Sequence, residues 1–191
     1  MNLKFDFYTD KNVLEDVDVS RSFEENIGES RKYAFKFFLD ISDENYKVAT
    51  ASGYILDEEQ IAENDEDIVD IADMIDQDLY NAIDKLVNSD YFTYDDGYIA
   101  YLERFYIFPE YRNKGIGNFM LNNLDKILHY FLNIPIKCFI TYIKPQIPTE
   151  KDWIDLKDTD KTMKKLMIKA FKKAGYKQLK KSDYYIKSYI K

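Results

Sequence analysis

The stretch from Tyr101 to Gly117 contains the residue types that an anion-binding turn requires. It reads Y-L-E-R-F-Y-I-F-P-E-Y-R-N-K-G-I-G, so a strand-like run is followed by a proline, two cations and two glycines. Glycines at 115 and 117 allow a tight turn and a close approach of the backbone to a ligand. A helix that starts there offers unpaired N–H groups and a partial positive charge of about +0.5 at its first turn. The segment therefore predicts a site for a phosphate or pyrophosphate group.

Two common phosphate-binding motifs do not describe this turn. No G-K-[ST] follows it, as a P-loop requires, and the G-x-G-x-x-G spacing of a dinucleotide-binding fold is absent. Two other reactive side chains are assigned to ordinary positions. Cys138 lies in an apolar run with no histidine placed to activate it, which predicts a buried thiol. His129, the single histidine, falls on the polar side of a predicted helix, so no metal site is expected.

The residues around the turn resemble the GNAT family of N-acetyltransferases. R-N-K-G-I-G, from Arg112 to Gly117, is similar to the family's [Q/R]-x-x-G-x-[G/A] acetyl-CoA signature, and L-E-R-F-Y-I-F-P-E-Y before it resembles the strand that leads into that signature. A-F-K-K-A-G-Y, from Ala170 to Tyr176, is similar to the family's final helix, which ends in G-[F/Y]. Most of the chain fits this pattern, although residues 10–30 and the acidic residues 57–96 fit least well.

The resemblance implies that acetyl-CoA is the co-substrate and that the turn holds its pyrophosphate. Backbone N–H groups of residues 113–118 would contact the pyrophosphate, with Arg112 orienting the turn. The backbone of residues 105–107 would pair with the pantetheine arm as an added strand would. The residues assigned to the co-substrate are Phe105, Tyr106, Ile107, Arg112, Asn113, Lys114, Gly115, Ile116, Gly117 and Asn118.

The resemblance also implies a catalytic role for Glu103, which occupies the glutamate of the family's strand pattern and would take a proton from the acceptor amine. The alternative is a surface carboxylate paired with a neighbouring lysine or arginine. In a regular strand Glu103 shares a face with residues 105 and 107, whereas Arg104 points to the other face. The two side chains are therefore not expected to act together.

The general acid is the point at which the sequence departs from the family. Many members carry a tyrosine four residues before the glycine of the final helix, where its hydroxyl can protonate the departing thiolate. Phe171 occupies that position here, and a phenyl ring has no proton to donate. The acid is then Tyr142, Tyr184 or water, or catalysis is impaired.

Hydrophobic periodicity predicts the elements that position these residues. Strands are predicted over residues 3–8, 33–41, 47–56, 98–108 and 136–143, with two more within 176–190. Helices are predicted over residues 68–86, 116–131 and about 158–175, with one or two short helices within 10–30 and a loop around 153. The order indicates an α/β (α+β) protein with the GNAT acyl-CoA N-acyltransferase fold: a mixed, mostly antiparallel sheet flanked by helices, with an extra acidic helix between the third and fourth strands.

Length and charge limit the remaining possibilities. The 191 residues predict one domain over 1–191, and the single cysteine and the lack of a leader predict a cytoplasmic protein that does not cross a membrane. The formal charge of −8 argues against nucleic acid as a partner. That charge is uneven, because residues 1–143 carry −16 and residues 144–191 carry +8. A homodimer is possible, as dimers are common in the family.

The function expected from the resemblance is N-acetylation of an amine, either a small cationic amine or a peptide amine, by direct attack in a ternary complex. One alternative is a catalytically weak GNAT-like module that binds CoA or a protein. Another is a nucleic-acid contact through the lysine-rich residues 144–191. The acidic residues 57–96 could attract a cationic acceptor, but their spread along the chain favours a solvated helix face.

Overall fold

A seven-stranded mixed sheet organises the protein. The computed structural model describes residues 3–9, 33–44, 46–93, 97–149, 153–156 and 161–189. The strands of the sheet are β1 (Leu3–Thr9), β2 (Ala34–Asp43), β3 (Tyr46–Asp57), β4 (Tyr98–Ile107), β5 (Ile136–Tyr142), β8 (Lys177–Gln178) and β9 (Tyr184–Ser188). Their order is β1-β2-β3-β4-β5-β9-β8, and the pairing of β4 with β5 is parallel while the other pairings are antiparallel. The predicted mixed, mostly antiparallel sheet is confirmed.

Helices cover both faces of this sheet. They are α1 (Glu58–Glu63), α2 (Ile68–Ile75), α3 (Gln77–Val87), α4 (Ile116–Leu132) and α5 (Lys161–Lys173). On one face, α4 and α5 pack over apolar side chains that include Phe37, Leu39 and Phe139. On the other, α1 to α3 pack over a second cluster that includes Leu56 and Ile140. Helix α4 is the crossover that joins the parallel strands β4 and β5.

The acidic segment differs from the sequence prediction. One helix was expected over residues 68–86, but α2 ends at Ile75 and α3 begins at Gln77. Asp76 between them has an extended backbone, and its carboxylate accepts hydrogen bonds from the N–H groups of Asp78 and Leu79. An aspartate that caps a new helix ends the preceding one, although the apolar spacing continues across the break.

Two further expectations concern the region of Trp153, where the structure differs, and residues 10–30, which lie outside the described residues. The region of Trp153 was expected to be a loop, but Trp153–Asp155 forms β7, which pairs with β6 (Gln146–Pro148) in a small separate hairpin. Ile147 lies opposite Ile154 in it, so backbone pairing orders a segment whose apolar pattern is too short to predict. The helices expected within residues 10–30 lie outside the described residues.

Candidate functional site

The parallel pairing of β4 and β5 stops in the middle of the sheet, and a cleft opens beyond it. Tyr101 and Ile140 form the last pair of the two strands. Immediately afterwards, the hydroxyl of Thr141 donates to the carbonyl oxygen of Leu102 over 2.8 Å, which replaces a backbone bond with a side-chain one. Beyond this point, the edge of β4 on the β5 side lies beside a cavity of about 380 Å³. The cavity is lined by Phe105, Tyr106, Ile107, Arg112, Asn113, Gly117, Asn118, Leu121, Gln146, Thr162, Met163, Leu166, Met167, Ala170 and Phe171.

The turn between β4 and α4 forms one end of this cavity. A short 3-10 helix at Pro109–Tyr111 reverses the chain, and Arg112 then donates from Nε to the carbonyl oxygen of Ile107 over 2.9 Å. That bond fixes the turn to the end of the strand. Gly115 is the N-cap of α4 and has a φ of 82°, a left-handed conformation that favours glycine. Because glycine has no side chain, it leaves the first-turn N–H groups of the 17-residue helix uncapped.

The structure brings together most of the residues that the resemblance assigns to the co-substrate. Seven of the ten line the cavity: Phe105, Tyr106, Ile107, Arg112, Asn113, Gly117 and Asn118. Lys114 and Gly115 are exposed on the turn, and Ile116 is buried beneath it. The side chain of Ile116 therefore belongs to the core, and only its backbone could contact a ligand.

The opposite wall of the cavity was not predicted from the sequence. The apolar stripe of α5 was assigned to an ordinary core face, yet Met163, Met167 and Ala170 are only half-buried and Leu166 is 63% exposed. These side chains line the cavity, and Met167 and Ala170 also pack against the core. The signal that could have identified them is the stripe's continuation past the part of the helix that packs on the sheet, which periodicity alone does not separate from a core face.

Phe171 lies at the base of the cavity. Its side chain is 3% exposed, and its ring contacts the rings of Phe105 and Tyr176 with centroids 6.0 and 5.0 Å apart. Burial strongly raises the pKa of Tyr176, so that neighbouring phenol keeps its proton. The residue that replaces the family's tyrosine therefore touches the wall of the cavity but offers it only carbon atoms.

Glu103 lies between two cations on the face of the sheet that α1 to α3 cover. Its Oε2 atom is 2.8 Å from Nζ of Lys36, and its Oε1 atom is 3.1 Å from Nε of Arg104. Lys36 also donates to the hydroxyl of Tyr54 over 3.3 Å. The side chain of Glu103 is 13% exposed, so these charges interact in a partly desolvated setting and stabilise the carboxylate.

The expectation that Glu103 and Arg104 point to opposite faces was wrong. Gly53 of β3 lies opposite Leu102. Ser52, which precedes Gly53 in β3, lies opposite Arg104. Glu103 therefore has no partner position in β3 and is the extra residue of a β-bulge. The bulge interrupts the alternation of side chains and allows the Glu103 carboxylate and the Arg104 guanidinium to meet. A regular strand would have separated them.

The two tyrosines proposed as alternative acids lie together, away from Phe171. Tyr142 and Tyr184 are partners in the pairing of β5 with β9, and their ring centroids are 5.2 Å apart. Tyr184 packs against the core on the α1 to α3 side, whereas Phe171 belongs to the core on the α4 side. Burial, with smaller contributions from Asp78 and Tyr142, raises the pKa of Tyr184 to about 12. Its hydroxyl is therefore protonated at neutral pH.

The fold, the turn and the cleft agree with the comparison of this sequence with known families. Residues 6–131 match the Acetyltransferase (GNAT) family, and the chain belongs to that family. Members of this family are generally N-acetyltransferases that use acetyl-CoA. The comparison with curated proteins found no match to the chain.

The residues of the cleft fit acetyl-CoA. A Cβ atom at Gly117 would lie 3.5 Å from Cγ1 of Ile107 and 3.9 Å from Cε1 of Phe105, so glycine leaves open the space between α4 and the strand edge. Arg112 and the uncapped start of α4 offer positive charge at one end of this space, which suits pyrophosphate. The apolar wall of α5 suits the pantetheine arm.

The cysteine and the histidine lie at the positions predicted for them. Cys138 is buried, as predicted, and burial raises the pKa of its thiol to about 12. His129 is exposed, as predicted, with Nδ1 3.0 Å from the carbonyl oxygen of Ile134. Within the described ranges, no group of three or more His, Cys, Asp or Glu residues could hold a metal ion. None of the described helices combines the length and the apolar character that a membrane span needs.

Proposed function

We propose that this protein transfers an acetyl group from acetyl-CoA to the nitrogen of an amine acceptor by direct attack in a ternary complex. The observation that carries the proposal is the cleft that opens where β4 leaves β5, with the Arg112 to Asn118 turn at one end and α5 as its far wall. This arrangement offers positive charge for the pyrophosphate and, for the pantetheine arm, the edge of β4 beyond its last described pair with β5. Bound acetyl-CoA would supply the acetyl group as a thioester, from which the CoA thiolate leaves as the amine nitrogen bonds to the acetyl carbon.

The chain's own residues would then position the acceptor and move protons. Glu103 would accept a proton from the attacking amine, directly or through water. Lys36 and Arg104 hold its carboxylate in one orientation, which supports a positioned base rather than a mobile surface group. The departing thiolate would take a proton from water or from Tyr184, whose hydroxyl stays protonated at neutral pH.

The experiment that tests the proposal measures binding and turnover separately. Calorimetric titration of acetyl-CoA and of free CoA should show saturable binding to one site per chain. With binding established, release of the CoA thiol in the presence of a panel of amines should reveal at least one acceptor. Lack of binding by either form of CoA would refute the proposal.

A second candidate is a GNAT-shaped module that binds CoA or a protein with little catalysis. Phe171 favours it, because this residue places carbon atoms where many family members have a hydroxyl. Fold alone does not guarantee activity. Saturable CoA binding together with no thiol release across the amine panel would select this candidate over the enzyme.

A further inference from the structure

A second cavity lies on the Glu103 face of the sheet, away from the cleft. Its volume is about 590 Å³, and four aromatic rings contribute to its lining: Tyr8, Phe38, Phe108 and Trp153. We call this space the aromatic cavity. Its polar lining includes Asp40 and Lys47. A space of this size lined by several rings is typical of a site for a small organic molecule.

The aromatic cavity adjoins the ion pairs that hold Glu103. Nζ of Lys36, which pairs with Glu103, is 5.9 Å from the centroid of the Phe38 ring. Cζ of Arg104, the second partner of Glu103, is 5.4 Å from the centroid of the Trp153 ring. Each cation therefore lies over a ring of the cavity while it holds the carboxylate. Glu103 does not line the cavity itself, but both of its partners contact rings that do.

Tyr106 lies at the lining of both the aromatic cavity and the cleft. The ring of Tyr106 contacts those of Phe108 and Trp153, with centroids 5.3 and 6.0 Å apart. Tyr106 also lines the cleft that fits acetyl-CoA. Tyr106 of β4 therefore contacts the lining of both spaces, as a residue between a donor site and an acceptor site would.

The charges of the aromatic cavity do not favour a polycation. Asp40 is the one carboxylate among the described residues of its lining. It already pairs with Lys47 at 2.7 Å and accepts a hydrogen bond from the hydroxyl of Tyr8 over 2.6 Å. Lys36 and Arg104 add positive charge at the end near Glu103. Apart from Glu103, toward which we place the amine that is acetylated as a neutral nucleophile, the described lining offers a second, charged ammonium group only the paired carboxylate of Asp40, whereas it offers an aromatic ring four rings.

We infer that the aromatic cavity is the acceptor subsite and that it takes an aryl or comparable flat apolar group joined by a short linker to the amine that is acetylated. The inference rests on the proposed function, and it names the substrate class as arylalkylamines rather than polyamines. The ring would lie among Phe38, Phe108 and Trp153, and the amine would extend toward Glu103.

Trp153 allows a test that does not depend on turnover. It is the single tryptophan of the chain, so intrinsic fluorescence reports directly on this cavity. The titrants are 2-phenylethylamine, ethylamine as the amine without a ring, and spermidine as a polycation, each with and without saturating CoA. We expect a saturable change in Trp153 emission with 2-phenylethylamine and none at matched concentrations of the other two.

Two variants localise the binding. Phe38→Leu should weaken 2-phenylethylamine binding by about tenfold, since it removes one ring of the cavity. Tyr130→Leu is the matched control, because Tyr130 is 82% exposed on α4. This variant should bind 2-phenylethylamine as tightly as the unchanged protein does. Thermal unfolding establishes that both variants fold. If Phe38→Leu does not fold, the comparison of 2-phenylethylamine with ethylamine decides the question.

The outcomes separate this inference from the proposed function. If acetyl-CoA binds by calorimetry but 2-phenylethylamine gives no saturable signal, or if spermidine binds as tightly, the subsite inference is wrong and the acetyl-CoA site stands. If 2-phenylethylamine binds but acetyl-CoA does not, the aromatic cavity is a ligand site and the proposed transfer is wrong.

Discussion

Nζ of Lys36 on β2 lies 2.8 Å from Oε2 of Glu103 on β4, across the strand that separates them. Burial acts to lower the pKa of Lys36, but the hydrogen bond and the charge of Glu103 outweigh it, so the pKa is raised. A lysine with a raised pKa contributes stability below its unfolded pKa, and this contribution is lost as the pH rises through the folded value. The contribution of Lys36 is therefore present at neutral pH and is lost in alkaline solution.

The first prediction concerns the base. Glu103→Gln keeps the shape of the side chain and removes its charge, so we expect kcat to fall by about 100-fold. The dissociation constant of CoA, measured by calorimetry, should not change, because Glu103 does not line the cleft. Lys36→Met is the companion variant, since it removes a cation that holds the carboxylate and should lower kcat less. An unchanged kcat in Glu103→Gln would remove Glu103 from the chemistry.

The second prediction concerns the missing hydroxyl. Phe171→Tyr places a phenol at the base of the cleft, where it could protonate the leaving thiolate, and we expect kcat to rise by about tenfold or more. The same hydroxyl costs about 1–3 kcal/mol of folding free energy if it finds no hydrogen-bond partner. Steady-state kinetics and urea unfolding measure the two effects. If kcat stays constant, Tyr184→Phe and Tyr142→Phe show whether either tyrosine supplies the proton.

The third prediction concerns the glycine that keeps the cleft open. Gly117→Val places a branched side chain beside Ile107. Its Cβ atom would lie at an ordinary contact distance, and its two methyl groups would occupy the space of a ligand. We expect CoA affinity to fall by about tenfold or more, with little change in the free energy of unfolding. Asn122→Val, an exposed position on the same helix, should leave CoA affinity unchanged. Equal affinities in the two variants would mean that the start of α4 does not contact CoA.

The fourth prediction is a pH dependence. Burial acts to raise the pKa of Asp40, but hydrogen bonds from Lys47, Tyr8 and Thr50 outweigh it and leave the pKa below its usual value. Such a carboxylate contributes stability above its unfolded pKa of about 3.9, and the contribution is lost as the pH falls through the lower folded value. Asp40→Asn should therefore destabilise the protein at pH 6 and have little effect well below pH 3.

Urea unfolding at a series of pH values tests this dependence. Asp73→Asn is a matched control, because Asp73 is exposed on α2, and it should change the free energy of unfolding by less than about 0.5 kcal/mol. If the free energy of unfolding of Asp40→Asn differs from that of the unchanged protein by a constant amount from pH 6 to pH 2.5, the lowered pKa of Asp40 is contradicted.

The sequence was informative where local chemistry determines local structure. The glycines of the turn and the periodicity of α4 predicted a strand, a turn and a helix start that the structure contains. It was uninformative where a contact joins distant strands. The pairing of Lys36 with Glu103 depends on the register of three strands, and the bulge at Glu103 depends on how Gly53 fits against β4. Side-chain alternation assumes a regular strand, so it assigned Glu103 and Arg104 to opposite faces.

The short parallel pairing of β4 and β5 divides the cleft between two portions of the chain. Four residue pairs join the two strands, and the family match at 6–131 ends before β5 begins. The turn and the strand edge thus belong to one portion of the chain, and the α5 wall of the cleft belongs to the other. Substitutions at Met163 or Leu166 can reshape that wall without altering the turn. Because the two walls come from different portions of the chain, substitutions in α5 are a route to altering the acyl donor of the proposed transfer while the turn that is proposed to hold the phosphates is left unchanged.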